Sequence, residues 1–255
     1  MNTVITMLLI LIHGIFTDQL EREIALRLIE SADDIEKLNV SRLAGKCQCS
    51  AASIHKFCRR LGFDDFRTMK AQMKLTMDVR RGQLEHHMNW TKEEDVLKRI
   101  SALSYGDTDI GLFAKTAAEI NRMIHESPRV ILLGAGFPEA LTLHYQEDMI
   151  MMHKTVYSVP VGYKLTMPAD VFDSTVLVIS LTGRIIDYFQ HQFIELTRRN
   201  PNVVMISGKT SFSQLNDSIK ILPLAIEGDN EDANTLLVEV MRYMKYMYYM
   251  TYGGC

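Results

Sequence analysis

The sequence predicts an all-α N-terminal domain of helix-turn-helix type, followed by an α/β domain with a five-stranded parallel sheet flanked by helices. Three observations carry this. Apolar residues recur at helical spacing from Met1 to about Val79. A basic block lies inside an otherwise acidic chain. From about Thr108, short apolar runs alternate with helical segments, which is the pattern of a parallel sheet covered by helices.

The chain has 255 residues, enough for two modest domains that each bury a core. Apolar residues make up 47% and charged residues 23%, an ordinary globular composition. With 6 Pro and 14 Gly, long disordered stretches are not expected. Of the four cysteines, Cys47, Cys49 and Cys58 fall in one short segment and Cys255 stands last. They form no regular framework, which points to a reducing, cytoplasmic compartment. The net charge of −3 conceals an asymmetry: Ser41–Gly82 carries 10 basic and 3 acidic residues, while Met1–Val40 carries 3 and 7. A basic block of this kind is the electrostatic footprint of a phosphate-binding surface, or else a solvated helical face.

Taken in order, Thr3–Phe16 is apolar but shorter than the ~20 residues that span a bilayer. It has neither a basic leader nor a small-residue cleavage site, so a buried or dimer-forming helix is expected and a membrane partner is not. Leu20, Ile24, Leu28 and Ile29 mark a second helix, with Thr17 as its expected N-cap. After a short connection over Asp33–Val40, a helix is expected over Ser41–Lys46, then a tight turn at Cys47–Cys49. Ser50 caps a further helix, Ala51–Leu61, and Gly62 ends it. In that helix Ile54, Phe57, Cys58 and Leu61 form one apolar stripe, and Ala52, Ser53, His55, Lys56, Arg59 and Arg60 lie opposite. Two short helices joined by a tight turn, the second basic on its outer face, form a helix-turn-helix pattern. Asp64–Arg81 continues as basic helix. Gly82–Asp107, with Trp90 and an expected capping box at Thr91–Glu94, reads as a helical connector. The expected domains are therefore residues 1–80, a connector over 81–107, and 108–255.

The strand runs are Val130–Leu133, Thr155–Val159, Thr175–Ile179, Val203–Ile206 and Ile219–Leu222. Glu231–Thr251 closes the chain as a Met- and Tyr-rich helix, expected in the core or at a subunit interface.

Reading DNA requires a helix that fits the major groove and carries side chains able to meet base edges. The base-edge candidates are Ala51, Ala52, Ser53, His55 and Lys56, behind the cap Ser50. The phosphate candidates are Arg42, Lys46, Arg59, Arg60 and Arg67.

Leu43-Ala44, the turn ending in Ser50, and Ile54–Phe63 followed by Asp65-Phe66 resemble the helix-turn-helix of the RpiR (MurR/RpiR) regulators. The resemblance implies a C-terminal SIS (sugar isomerase) domain that binds a phosphorylated sugar. Gln48 stands where that family usually has Gly, and Gln does not tolerate positive φ without steric cost. Val130–Gly136 resembles the first SIS strand and its glycine loop, so the resemblance places Gly134, Ala135 and Gly136 against the effector. Two positions after Gly136 the family has a hydroxyl residue and this chain has Pro138, with neither hydroxyl nor N–H. Ser180–Asp187 resembles the SIS phosphate loop. Ser180, Thr182 and Gly183 keep its donors, Ile185 replaces a Thr, and Arg184 supplies a guanidinium that matches phosphate geometry.

The remaining signals are read as structural. Gly208-Lys-Thr210 lacks the first glycine of a P-loop. Cys47, Cys49 and His55 have no evident fourth metal ligand. His144, Glu147, Asp148 and His153 are expected on a polar helix surface. No catalytic residue, cofactor or metal is expected. The implied partners are double-stranded operator DNA, a phosphorylated sugar, and a second copy in a homodimer or homotetramer. The competing readings are a phosphosugar isomerase-like enzyme, and a regulator whose second domain only dimerises.

Overall fold

A computed structural model describes residues 3–14, 17–106, 108–162, 164–215, 219–226 and 231–253. Phe16, Asp107 and Cys255 lie outside the described residues.

The apolar first segment folds as α1 (Val4–His13), with Val4, Ile5, Leu8, Leu9 and Ile12 buried. It packs on the helical half and also on the sheet, against β2 (Val156–Val161). The region expected to belong to the first domain thus contributes one helix to both. Next, α2 (Gln19–Glu30) is capped by Asp18, whose carboxylate accepts the N–H groups of Leu20 and Glu21. Asp18 holds the cap expected at Thr17, because its short carboxylate meets the first free N–H groups at 3.0 and 3.3 Å. A single 3-10 turn, Ile35–Lys37, leads to α3 (Val40–Lys46), capped by Asn39, and then α4 (Ala51–Arg60).

The connector is more continuous than its composition suggests. α5 (Phe66–Trp90) runs 25 residues through Gly82, about 37 Å at the helical rise. α6 (Glu93–Leu103) follows, but the expected capping box does not form. Lys92 occupies the N-cap without a side-chain bond, and the Thr91 hydroxyl instead donates back to His87 O at 2.9 Å.

After α7 (Ile110–Glu126), the sheet begins with β1 (Val130–Ala135). α8 (Gly136–Ala140) and α9 (Leu143–Met151) lead to β2. Then come β3 (Thr175–Ile179), α10 (Arg184–Tyr188), α11 (Gln190–Arg199), β4 (Val203–Ser207) and β5 (Lys220–Pro223). α12 (Glu231–Tyr252) closes the fold. All strand pairs are parallel, in the order β2-β1-β3-β4-β5, with Val130 opposite both Val156 and Thr175. Every residue of β3 and β4 is buried, which is why their sequences read as unbroken apolar runs. The Met- and Tyr-rich stripe of α12 lies in the core, with Met241, Tyr243, Met244 and Tyr248 buried. Tyr243 donates to Glu93 Oε1 at 2.8 Å and so ties α12 to α6.

Of the described residues, no helix is long and apolar enough to cross a membrane.

Candidate functional site

The helix-turn-helix is built from local rules. Ser50 accepts the N–H of Ser53 at 3.1 Å, which starts α4. At its end Gly62 has φ +88°, its N–H bonds Arg59 O, and the N–H of Phe63 bonds Cys58 O. This pair of bonds is the Schellman arrangement, and it needs a residue in the left-handed region at position 62. Between α3 and α4, Gln48 takes φ +51°, so the turn keeps the geometry of a glycine although it has none. Ile54, Phe57 and Cys58 are buried as the stripe requires, and Leu61 packs against them half-buried. Burial pushes the thiols of Cys47 and Cys58 up to about 11, so both behave as small apolar core groups. Cys47, Cys49 and Cys58 are all unpaired thiols.

The outer face of α4 is open. Ala51, Ala52, Lys56 and Arg59 are exposed, and Ser53 and His55 are half-buried. Arg42 is exposed in the first turn of α3, and Arg67 is exposed in the first turn of α5. Two of the phosphate candidates have partners within the chain. Arg60 pairs with Glu21 of α2 at 2.5 Å, and Lys46 donates to Ser31 Oγ at 2.9 Å.

The strand order places a topological switch between β1 and β3, where the chain leaves β1 to opposite sides. Such points form crevices at the carboxyl ends of strands. The loops at Gly134–Gly136 and Ser180–Arg184 both arise there, so the fold brings together the two segments singled out in the sequence. They differ in openness. A Cβ on Gly134 would lie 2.6 Å from Glu139 Cβ, so this glycine lets α8 pack on β1. Glu139 is itself buried and pairs with His13 of α1 at 3.0 Å. Gly136 takes φ +53° with open space beside it. Pro138 sits in the short α8.

In the second loop Gly183 adopts φ +77°, its N–H bonding Ser180 O at 3.0 Å. Thr182 Oγ1 accepts from Arg184 Nε at 3.0 Å. A Cβ on Gly183 would meet Lys209 Cδ at 2.9 Å, so the lysine of Gly208-Lys-Thr210 lies over this loop. Lys209 and Gln214 both reach Asp187, the residue at the acid position of the loop. Ile185, where the related loop has a hydroxyl, points into the core.

Glu147 and Asp148 differ from the polar helix surface expected of them. Both are buried between the two halves. Asp148 accepts from Lys245 at 2.6 Å and from Arg80 at 2.7 Å. Glu147 accepts from Thr6 at 2.5 Å and from Thr3. His144 and His153 remain exposed, and His153 meets Asp33 at 2.6 Å. The partners come from α1, α5 and α12, which the local pattern of α9 could not announce. Basic residues within an apolar helix face, Lys245 above all, were the one available signal.

Residues 16–78 match the helix-turn-helix domain of the rpiR family. Over 84 residues the chain is 30% identical to an uncharacterized HTH-type transcriptional regulator of Caldanaerobacter subterraneus subsp. tengcongensis. That match takes in 33% of this chain, and the chain spans 29% of the length of that relative. Among solved structures, the chain is similar to the NanR protein of Vibrio vulnificus complexed with ManNAc-6P, at 16% identity. The likeness covers 92% of this chain and 88% of that one, with a TM-score of 0.43. It is also similar to the hypothetical protein MJ1247 from Methanococcus jannaschii, for which a 3-hexulose-6-phosphate isomerase function has been inferred. There the identity is 14%, the coverage 60% and 86%, and the TM-score 0.41. The cap, turn and terminal glycine around α4 all lie within the matched residues 16–78 and give those helices a helix-turn-helix geometry.

Proposed function

We propose that the chain is a transcription regulator that seats α4 in the major groove of operator DNA and responds to a phosphorylated sugar or related metabolite. The observation that carries this is the exposed face of α4, where Lys56 and Arg59 stand clear beside the small side chains of Ala51 and Ala52. Small residues at the helix start let the backbone approach base edges, and the basic residues hold phosphates. Ser53, His55 and the capped start at Ser50 complete the reading face. Arg42 supplies a second phosphate contact. A homodimer or homotetramer would present two such faces to a two-fold operator.

The effector reading rests on Ser180, Thr182, Gly183 and Arg184, with Lys209 above them, because these offer hydroxyl, guanidinium and ammonium donors at one strand end. Gly136 and the backbone of Ala135 border the same crevice. The tight packing of Glu139 on Gly134 favours one second reading, in which the α/β half serves only to join subunits. Thermal melts against a panel of sugar phosphates separate the two, since a ligand bound only by the folded state raises Tm with its concentration.

The DNA reading is tested by fluorescence anisotropy on the DNA upstream of the chain's own gene, across a salt series. Each phosphate contact contributes about 0.9 to the slope of log K against log salt. Arg59→Ala and Lys56→Ala should each weaken binding and flatten that slope by roughly one contact. Arg60→Ala should change it less, since Arg60 is already held by Glu21. Binding that is absent, or indifferent to salt, refutes the proposal.

A further inference from the structure

A cleft of about 250 Å³ lies between α5, α9 and α12, and includes no residue of the helix-turn-helix or of the strand-end loops. Exposed His87 of α5 and His144 of α9 border it, with Arg242 of α12, while Tyr145 and Lys245 are buried in its lining. Two buried polar atoms in this lining make no hydrogen bond among the described residues: Tyr145 Oη, on a side chain only 2% exposed, and Arg242 Nε. A buried polar atom without a partner costs free energy, which a ligand that opened the lining to reach it would recover.

The charge around the cleft favours an anion. Its one lining carboxylate, Glu239, is engaged by Arg99 at 3.0 Å and stands 3.7 Å from Arg242. Behind it, Asp148 is taken by Lys245 and Arg80, and Glu147 by Thr3 and Thr6. Both imidazoles titrate below the usual histidine range. Desolvation by the protein atoms around the cleft is the main cause for each, although one edge of each ring stays exposed, then Lys245 for His144 and Arg242 for His87. At both rings Lys245 and Arg80 lower the value and Asp148 raises it, so an arriving anion would add to the pull of Asp148.

We propose that this cleft is a ligand site distinct from the strand-end loops, and that it takes a phosphate-bearing small molecule through Arg242, Tyr145, His144 and His87. A phosphate dianion suits this set better than a carboxylate. It offers enough acceptor oxygens for the guanidinium, the phenol and the His87 imidazole together, and it can draw a proton onto His144 if that ring turns from Arg80 Nη2, 2.6 Å from its Nε2, and Lys245 Nζ, 3.3 Å from its Nδ1. The site has a mechanical consequence. His87 lies on α5, which runs unbroken from the helix-turn-helix, whereas Tyr145 and Arg242 belong to the α/β half. A bound phosphate therefore bridges the two halves and adds to the contacts that keep α5 docked. The inference stands whether or not the strand-end loop holds an effector.

The test uses the full chain with inorganic phosphate, and acetate as the carboxylate comparison. Histidine side-chain NMR follows His87 and His144 while calorimetry follows binding and proton uptake. Phosphate should bind saturably and raise the titration midpoint of His144, with net proton uptake near neutral pH. Arg242→Gln and Tyr145→Phe should each weaken binding about tenfold, a difference of ~1.4 kcal/mol. The exposed His144→Gln should abolish most of the proton uptake, and it serves if Arg242→Gln fails to fold. Thr182→Ala, in the strand-end loop, should leave the response of His144 in place. The proposal is overturned if phosphate does not perturb His144, if acetate binds equally well, or if Thr182→Ala removes the response while Arg242→Gln keeps it.

Discussion

Asp148→Asn probes the ion network that holds the two halves of the chain together. Asp148 is 1% exposed and accepts from Lys245 at 2.6 Å and Arg80 at 2.7 Å. The substitution keeps the shape and removes the charge, which leaves the buried Lys245 ammonium without its counter-ion. Breaking one partner of a buried pair costs ~3–5 kcal/mol. For a chain of this size that is roughly 6–20 °C in Tm. Burial already holds Lys245 below the ordinary lysine value of 10.5, and Asp148 opposes that depression. In the variant the depression deepens. A folded-state value below the unfolded one means that the unfolded chain binds more protons between the two. The penalty is therefore complete below the folded value of Lys245 and shrinks as pH rises from there toward 10.5. Urea and thermal melts followed by circular dichroism, from about pH 6 to about pH 9, should show the gap to the parent narrowing with pH. Lys245→Met placed on the Asp148→Asn chain should recover most of the loss, because it removes the stranded charge. A deficit below ~1 kcal/mol, or one that neither pH nor Lys245→Met relieves, refutes the reasoning.

Two further outcomes follow from backbone and packing. Gln48 holds φ +51°, which costs an L-residue about 1–2 kcal/mol, so Gln48→Gly should raise Tm without weakening DNA binding. Gly134→Ala would place a Cβ 2.6 Å from Glu139 Cβ, against a helix that cannot yield freely; a loss of ~1–3 kcal/mol in denaturant melts is expected.

What the sequence made legible was whatever depends on near neighbours. The boundaries of α4 came from Ser50 and Gly62, because a cap and a left-handed terminator act within four residues. The five strands came from apolar runs, because a parallel sheet buried on both faces leaves no alternation to confuse them. The cost at Gln48 was legible through the resemblance alone, which puts a Gly where this chain has Gln at φ +51°. The errors were likewise local competitions. Thr91 lost the cap of α6 because its hydroxyl bonds back to His87, and Thr17 lost the cap of α2 to the neighbouring Asp18. The role of Glu147 and Asp148 was not legible from their own helix. Apart from His144 one turn away, the partners of Asp148 lie 68 or more residues away in the chain, and a carboxylate pair on a helix reads the same whether water or an arginine faces it.

Those distant contacts bear on how a signal could reach DNA. α5 carries Arg80 into Asp148, and Arg81 donates to Met151 O at 3.1 Å and to Asp33 at 3.2 Å. α1 adds a second tie, with its buried face against the sheet, Thr3 and Thr6 on Glu147, and His13 on Glu139. Swinging the helix-turn-helix on a hinge within one chain would have to break these bonds together and expose the apolar face of α1. Asp148 would keep Lys245, but each side chain of α1 uncovered from β2 and α9 costs ~1.5–3 kcal/mol, so a few of them exceed the 1–3 kcal/mol typical of coupling between sites. A ligand at the strand ends cannot readily supply that difference. Under the proposed function a rigid subunit would need no such break: two copies would shift against each other, and the spacing of their α4 helices would change while each chain kept its own contacts.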